Sequence, residues 1–189
     1  DLCGDSIGKQ DQYAASFGGL NLIEFNEDDS VVVSPVTCKP ETILRMEESI
    51  LVFYTGRTRS ASSLLNDMSE NMKRPRKRAL ISDMVSIAYD MRDLLENDDV
   101  DFVGELLDKN WQLKRQITLG ISDAQIDDWY NKGILAGATG GKLLGAGNGG
   151  FIMFFAPKEK HANIMKAMKN LKCIPFSFES GGSKIVLLD

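Results

Sequence analysis

The chain has 189 residues, 43% of them apolar and 26% charged, with a formal net charge of −5. That supplies one medium-sized core, and the acidic balance excludes general nucleic-acid binding, which needs a basic field. No apolar run approaches the roughly 20 residues that cross a bilayer, so a membrane is set aside as a partner as well.

The three cysteines, Cys3, Cys38 and Cys173, are odd in number and show no CxxC or Cys/His ligand spacing. Such a pattern fits reduced thiols in the cytoplasm better than a disulfide framework. The one histidine, His161, stands in a polar stretch, which leaves no basis for a His triad or a His-rich metal site. The opening DLCGDSIG lacks the charged and apolar regions of a signal peptide and reads as a cut into a longer protein.

In chain order, residues 7–17 predict a short helix stopped by Gly18 and Gly19. LNLIEF (20–25) and VVVSPV (31–36), joined by an acidic turn, predict a β-hairpin. Residues 38–42, with Pro40, read as a connector near a domain boundary, and ILVFYTG (50–56) as a buried strand. Lys73, Arg74, Arg76, Lys77 and Arg78 surround Pro75. No aromatic residue interleaves to stack bases, so the run reads as a solvated helix start.

Ala79, Leu80, Met84, Ile87, Ala88, Met91, Leu94 and Leu95 then repeat with the spacing of an amphipathic helix. The acidic run 98–101 is expected to cap a second helix carrying Phe102, Val103, Leu106, Leu107 and Trp111. A third helix is announced by a capping box from Ser122 to Gln125, with Ile121 and Ile126 as a staple. The last third reads as a Gly-rich loop, a strand (151–156), a helix (158–171), a strand (173–178), a Gly181–Gly182 turn and a final strand in KIVLL. The expected class is α+β, an antiparallel sheet with helices on one face.

Three stretches carry candidate chemistry. The first is GGKLLGAGNGGFIMFF, 140–155. Glycines at this density expose backbone N–H groups and let an anion approach them. Gly145, Gly147 and Gly150 formally satisfy GxGxxG, but a dinucleotide fingerprint opens a helix, and here the loop runs into a strand. A Walker loop also fails. Lys142 follows Gly141, but Leu143 stands where Ser or Thr is needed and Ala136 where the first glycine is. Apart from a ligand, the loop reads as a turn between helix and strand.

The second stretch is IGKQDQYAASFGG, in which Asp11 lies between Gln10 and Gln12. A lone helix acid is ordinarily solvated; held inward, it is a positioned base. The third is YTGRTRSAS, 54–62, where a strand end, Thr58, Ser60, Arg57 and Arg59 allow either ordinary capping or a phosphate contact.

Taken in order, Gly8–Ala14, Thr55–Ser62, Gly141–Phe151 and FESGGSKIV (178–186) resemble the GHMP kinase superfamily, within it the sugar 1-kinase branch that includes heptose 7-phosphate kinases. The resemblance implies an ATP- and Mg²⁺-dependent kinase acting on the anomeric hydroxyl of a sugar or sugar phosphate, in nucleotide-sugar synthesis for a bacterial surface polysaccharide. It makes Asp11 the base or orienting group. It puts Gly145, Gly147, Asn148 and Gly149 against the phosphates, with Asn148 where the family usually has glycine. Arg57 and Arg59 become candidates for a phosphorylated substrate.

The family's Gly/Ser-rich nucleotide motif precedes the G-x-x-D-Q segment and does not occur in this chain. Residues 1–40 thus resemble the tail of the family's N-terminal domain, and 41–189 its ferredoxin-like C-terminal domain. The implied partner is an N-terminal half. A non-catalytic binding or oligomerisation module is the alternative expectation.

Overall fold

Two antiparallel sheets organise the computed structural model, which describes residues 9–57, 75–117, 120–145, 147 and 149–186. The smaller sheet is the expected hairpin of β1 (Asn21–Phe25) and β2 (Val31–Pro35), with Ile23 opposite Val33. Its turn is closed by the Asp28 carboxylate, which accepts from the amide and hydroxyl of Ser30 at 3.0 and 2.6 Å. Helix α1 (Gln10–Phe17) precedes it and ends where Gly18, at φ 66°, turns its amide back to the Ala14 carbonyl.

The larger sheet contains β3 (Ile50–Tyr54), β4 (Gly140–Leu144), β5 (Phe151–Phe155) and β6 (Lys172–Ile174), in the order β4-β5-β3-β6 with antiparallel neighbours. Helices fill the β3–β4 interval and one helix joins β5 to β6, which is the split βαβ arrangement of ferredoxin-like domains. The α+β class is as expected. Alternation along the strands sends Leu51, Phe53, Leu143, Ile152 and Phe154 to one face. There they meet Trp111 of α4 (Val103–Ile117), Ile126 and Tyr130 of α5 (Ala124–Leu135), and Ile164 of α6 (His161–Ala167). Ile50 and Phe155 point the other way, to Met46 of α2 (Pro40–Ser49), Leu95 of α3 (Pro75–Glu96), Val100 and Val103.

Helix α4 also lies along the outer strand β4. A Cβ on Gly140 would stand 1.7 Å from the Gly104 carbonyl oxygen, and one on Gly104 would stand 1.9 Å from Thr139 Oγ1. Only glycine at both positions lets helix and strand approach this closely.

Several expectations need correction. The supposed connector at 38–42 contains the start of α2, with Pro40 in its first turn, where a missing N–H costs nothing. Asp123, not Ser122, caps α5; its carboxylate accepts from Gln125 and Ile126 amides, while Ser122 donates to Asp127. Asp98 does not cap the helix after it. It takes the Lys39 amide, the Thr42 hydroxyl and the Lys39 ammonium, and so caps α2 from 59 positions away. The helix expected at 158–171 is a short 3-10 turn, Lys158–Lys160, followed by α6.

The final hairpin does not form within the described residues. Pro175 has no N–H to continue the ladder with β3, so β6 stops at Ile174. The segment beyond it runs back onto the end of α1 instead. Gly19 donates to the Glu179 carbonyl at 2.6 Å, and Ser183 to that of Ser16 at 3.1 Å. The calls on residues 58–74 and on KIVLL after Val186 lie outside the described residues.

Candidate functional site

The Gly-rich stretch divides into two parts. Gly140–Leu144 is strand β4, and only 145–150 is loop, so it connects two antiparallel strands and not a helix to a strand. The carbonyl of Gly150 accepts from the Thr55 amide and hydroxyl at 3.0 and 2.8 Å, and its amide donates to the Arg57 carbonyl at 2.8 Å. A Cβ on Gly149 would lie 2.8 Å from that same carbonyl oxygen. Gly149 and Gly150 are therefore demanded by the seating of the loop on the end of β3.

Gly145 and Gly147 differ from these two. Both have positive φ, 105° and 100°, and a Cβ on Gly145 would meet only the Gly149 carbonyl oxygen, at 3.8 Å. Among the described residues nothing accepts a hydrogen bond from the amides of Gly145, Gly147 or Gly149, and Gly147 and Gly149 are buried. Buried donors without an acceptor suit an anion. Asn148 lies outside the described residues.

Arg57 holds the loop through its backbone and turns its guanidinium to Asp123, Nη1 to Oδ2 at 2.7 Å. Burial works to raise the Asp123 pKa, but the Ile126 amide and the Arg57 side chain outweigh it and leave the carboxyl below its usual range. The first amides of α5 are thus taken by its own cap. Arg59 lies outside the described residues.

Asp11 is the second residue of α1 and is exposed, as is every neighbour from Lys9 to Gln12; α1 buries no side chain. Lys9 ties the start of the helix to the hairpin turn through Asp29 at 3.2 Å. The Asp11 carboxylate acts on Lys114, in the last turn of α4, and Lys114 acts in turn on Lys142 in β4. Burial lowers the Lys114 pKa and Asp11 partly restores it. Burial, then the charge of Lys114, brings Lys142 down to about 8.

Below that strand, the buried Tyr130 donates to Asp108 at 2.6 Å and lies 3.3 Å from the Gly141 carbonyl. The two lysines were not foreseen as a site. Lys142 carried a signal, a lone cation in an apolar strand, whereas Lys114 reads as an ordinary helix-end lysine.

Among the described residues no three His, Cys, Asp or Glu side chains gather where they could hold a metal ion. No residue of this chain is assigned to Mg²⁺. No helix among the described residues is long and apolar enough to cross a membrane. Cys38 and Cys173 are free thiols, and Cys3 lies outside the described residues.

The sheet order defines a ferredoxin-like domain whose β4–β5 loop is built on glycines of positive φ. Residues 91–172 match the family described as GHMP kinases C terminal. It is 31% identical over 179 residues to the D-glycero-alpha-D-manno-heptose 7-phosphate kinase of Campylobacter jejuni, covering 94% of this chain and 53% of that relative. A D-glycero-D-manno-heptose 1-phosphate kinase from Bacteroides thetaiotaomicron superposes with a TM-score of 0.65 at 27% identity, over 99% of this chain and 52% of the other. L. major mevalonate kinase, solved with R-mevalonate, gives 0.69 at 25% identity, over 85% and 47%. The chain spans about half the length of each.

Proposed function

We propose that this chain is the C-terminal part of an ATP-dependent sugar kinase that phosphorylates an anomeric hydroxyl, with a heptose 7-phosphate as acceptor. The observation that carries the reading is the loop at 145–150, where the amides of Gly145, Gly147 and Gly149 find no acceptor among the described residues. Residues 1–40 then close the N-terminal domain, and 41–189 form the C-terminal one. The partner is an N-terminal half bearing the main nucleotide motif. The setting is cytoplasmic nucleotide-sugar synthesis.

In this reading Asp11 accepts a hydrogen bond from the acceptor hydroxyl and takes its proton as the oxygen bonds to the transferred phosphorus and ADP departs. The amides of Gly145, Gly147 and Gly149, with Asn148 between them, meet the charge on the phosphoryl oxygens. When bound, ATP supplies the phosphoryl group and Mg²⁺ countercharge to it. Arg57 steadies the loop, with its guanidinium held by Asp123; Arg59 is retained as a substrate contact from the family resemblance alone.

The test measures ADP release with a panel of sugars and sugar phosphates, in the chain joined to a GHMP kinase N-terminal half. Asp11→Asn is expected to slow turnover about 10²- to 10⁴-fold. Unchanged turnover removes Asp11 from the chemistry. A second reading, a non-catalytic binding or oligomerisation module, is favoured by the outer edge of β6, a short strand that among the described residues pairs only with β3. Saturable Mg-ATP binding by the 189-residue chain in a calorimeter counts against it.

A further inference from the structure

Helix α1 has eight residues and buries no side chain, so neither its length nor its packing fixes where Asp11 stands. Its near end is tied to the hairpin, by Lys9 with Asp29 at 3.2 Å and by Tyr13 edge-on to Phe25 at 5.7 Å. Its far end is held by a segment more than 150 positions along the chain. The Gly19 amide donates to the Glu179 carbonyl at 2.6 Å and the Ser183 amide to that of Ser16 at 3.1 Å. The Ser183 hydroxyl donates to the Ala15 carbonyl at 3.3 Å. Ala15 lies about one helical turn beyond Asp11.

Two glycines let the chains meet this closely. A Cβ on Gly18 would stand 2.2 Å from the Gly182 nitrogen, and one on Gly182 would stand 2.3 Å from the Ser16 carbonyl oxygen. Backbone lies on backbone there, so no side-chain rotation makes room. The start of the same segment is anchored elsewhere. Phe178 packs against the cluster of Met46, Leu95 and Phe155, and its amide donates to Glu47 Oε1 of α2 at 2.7 Å. Helix α2 runs into β3, and Thr55 at the end of β3 holds the glycine loop through the Gly150 carbonyl. One frame thus carries both the loop and the far end of α1.

We propose that Phe178–Ser183 is a strap that positions Asp11, with Gly182 as its positioning residue. The stretch FESGGSKIV carried part of the family resemblance without a role of its own, and this contact supplies one. The part played by Asp11 rests on the kinase reading; the holding of α1 by the strap does not. A base has to stay within hydrogen-bond reach of the proton it takes, and a misplacement of about 1 Å can cost about 10²-fold in rate. An exposed carboxylate on a two-turn helix meets that demand if the helix is fixed to the frame of the phosphate-facing loop.

The experiment compares the wild type with Gly182→Ala and, as control, Gly181→Ala, whose Cβ would meet the movable end of Lys184 and a Glu179 carboxylate oxygen. In the 189-residue chain, amide exchange followed by NMR should find Gly19 and Ser183 protected in the wild type and the control. In Gly182→Ala both should exchange at least about 10-fold faster. The Ala156 amide, bonded to Ser49, should stay protected and report a folded sheet. In the chain joined to a GHMP kinase N-terminal half, Gly182→Ala should lower kcat about 10- to 100-fold and leave KM for ATP unchanged. Made on top of Asp11→Asn, it should cost nothing further, because the group it positions is gone. If Ala156 loses its protection, Ser183→Ala, which removes the hydroxyl bond to Ala15, takes its place, with a smaller loss of kcat and the same non-additivity. Unprotected Gly19 and Ser183 amides in the wild type, or an equal loss of kcat with and without Asp11, overturn the proposal. Unchanged turnover in Asp11→Asn defeats the kinase reading alone, and the exchange pattern then decides whether the strap holds α1.

Discussion

Two regions of this molecule handle charge in opposite ways. Where α2 meets the end of α3, Asp98 sits among three donors and its carboxyl falls to about 2, first through its bond to the Lys39 side chain, then through the Lys39 amide and Thr42. At the β4–α4 seam, Lys114 and Lys142 are half-buried and make no hydrogen bond or ion pair among the described residues, and burial lowers the pKa of both. The first cluster closes on itself and serves the fold, since it satisfies the start of a helix whose own residues supply no side-chain cap. The second leaves charge open beside a loop of unpaired amides. A satisfied cluster marks structure and an unsatisfied one marks a place for something else.

That contrast breaks most sharply at Gly140, where the helix bearing Lys114 touches the strand bearing Lys142. Gly140→Ala sets a Cβ 1.7 Å from backbone oxygen, which no side-chain rotation relieves, so α4 must move off β4. The expected loss is about 1–3 kcal/mol or more, read as a lower urea midpoint at unchanged slope. A midpoint equal to wild type would mean that the seam is not this close.

Asp98→Ala comes next. It removes the acceptor of three donors and should lower Tm by a few degrees. Because the folded pKa lies below the unfolded one, the stabilisation is present above about pH 4 and is lost as pH falls towards 2. The variant and the wild type should therefore converge in acid. Parallel curves down to pH 2 would separate Asp98 from the cap.

Much of the fold was legible because its signals are periodic. The hairpin, β3, β5 and the long helices α3 and α4 all follow from alternation or from three-and-four spacing. β4 was hidden because Gly-Gly-Lys has little preference for a strand; its place is fixed by Gly104 and Thr139 across the seam, contacts no local pattern reveals. Helix α2 did carry a signal, Pro40 in the first turn, but its cap lies far along the chain at Asp98. The apolar residues after Cys173 predict a longer strand than forms, because Pro175 breaks the ladder with β3. For the site, the glycine loop is legible in its own density of glycines and Asp11 takes its role from the family resemblance, whereas Lys114 is marked by nothing local, since its meaning depends on which strand lies beside it.

The smallest expected effect has the opposite sign. Lys142→Met replaces a half-buried, uncompensated ammonium with a side chain of similar length, so stability should rise, by about 1–4 °C in Tm at pH 7. Its pH dependence supplies the check. The folded pKa of about 8 lies below the unfolded value of 10.5, so between these values the unfolded chain binds the extra proton and wild-type stability climbs with pH. The charge that acts on Lys142 is that of Lys114 on α4, while Met153 opposite it on β5 is neutral. In the variant that climb should be largely absent, and its advantage over wild type should shrink as pH approaches 10. A Met variant less stable than wild type at pH 7 would mean that the lysine is held for the fold, and the contrast between the two charge clusters would vanish.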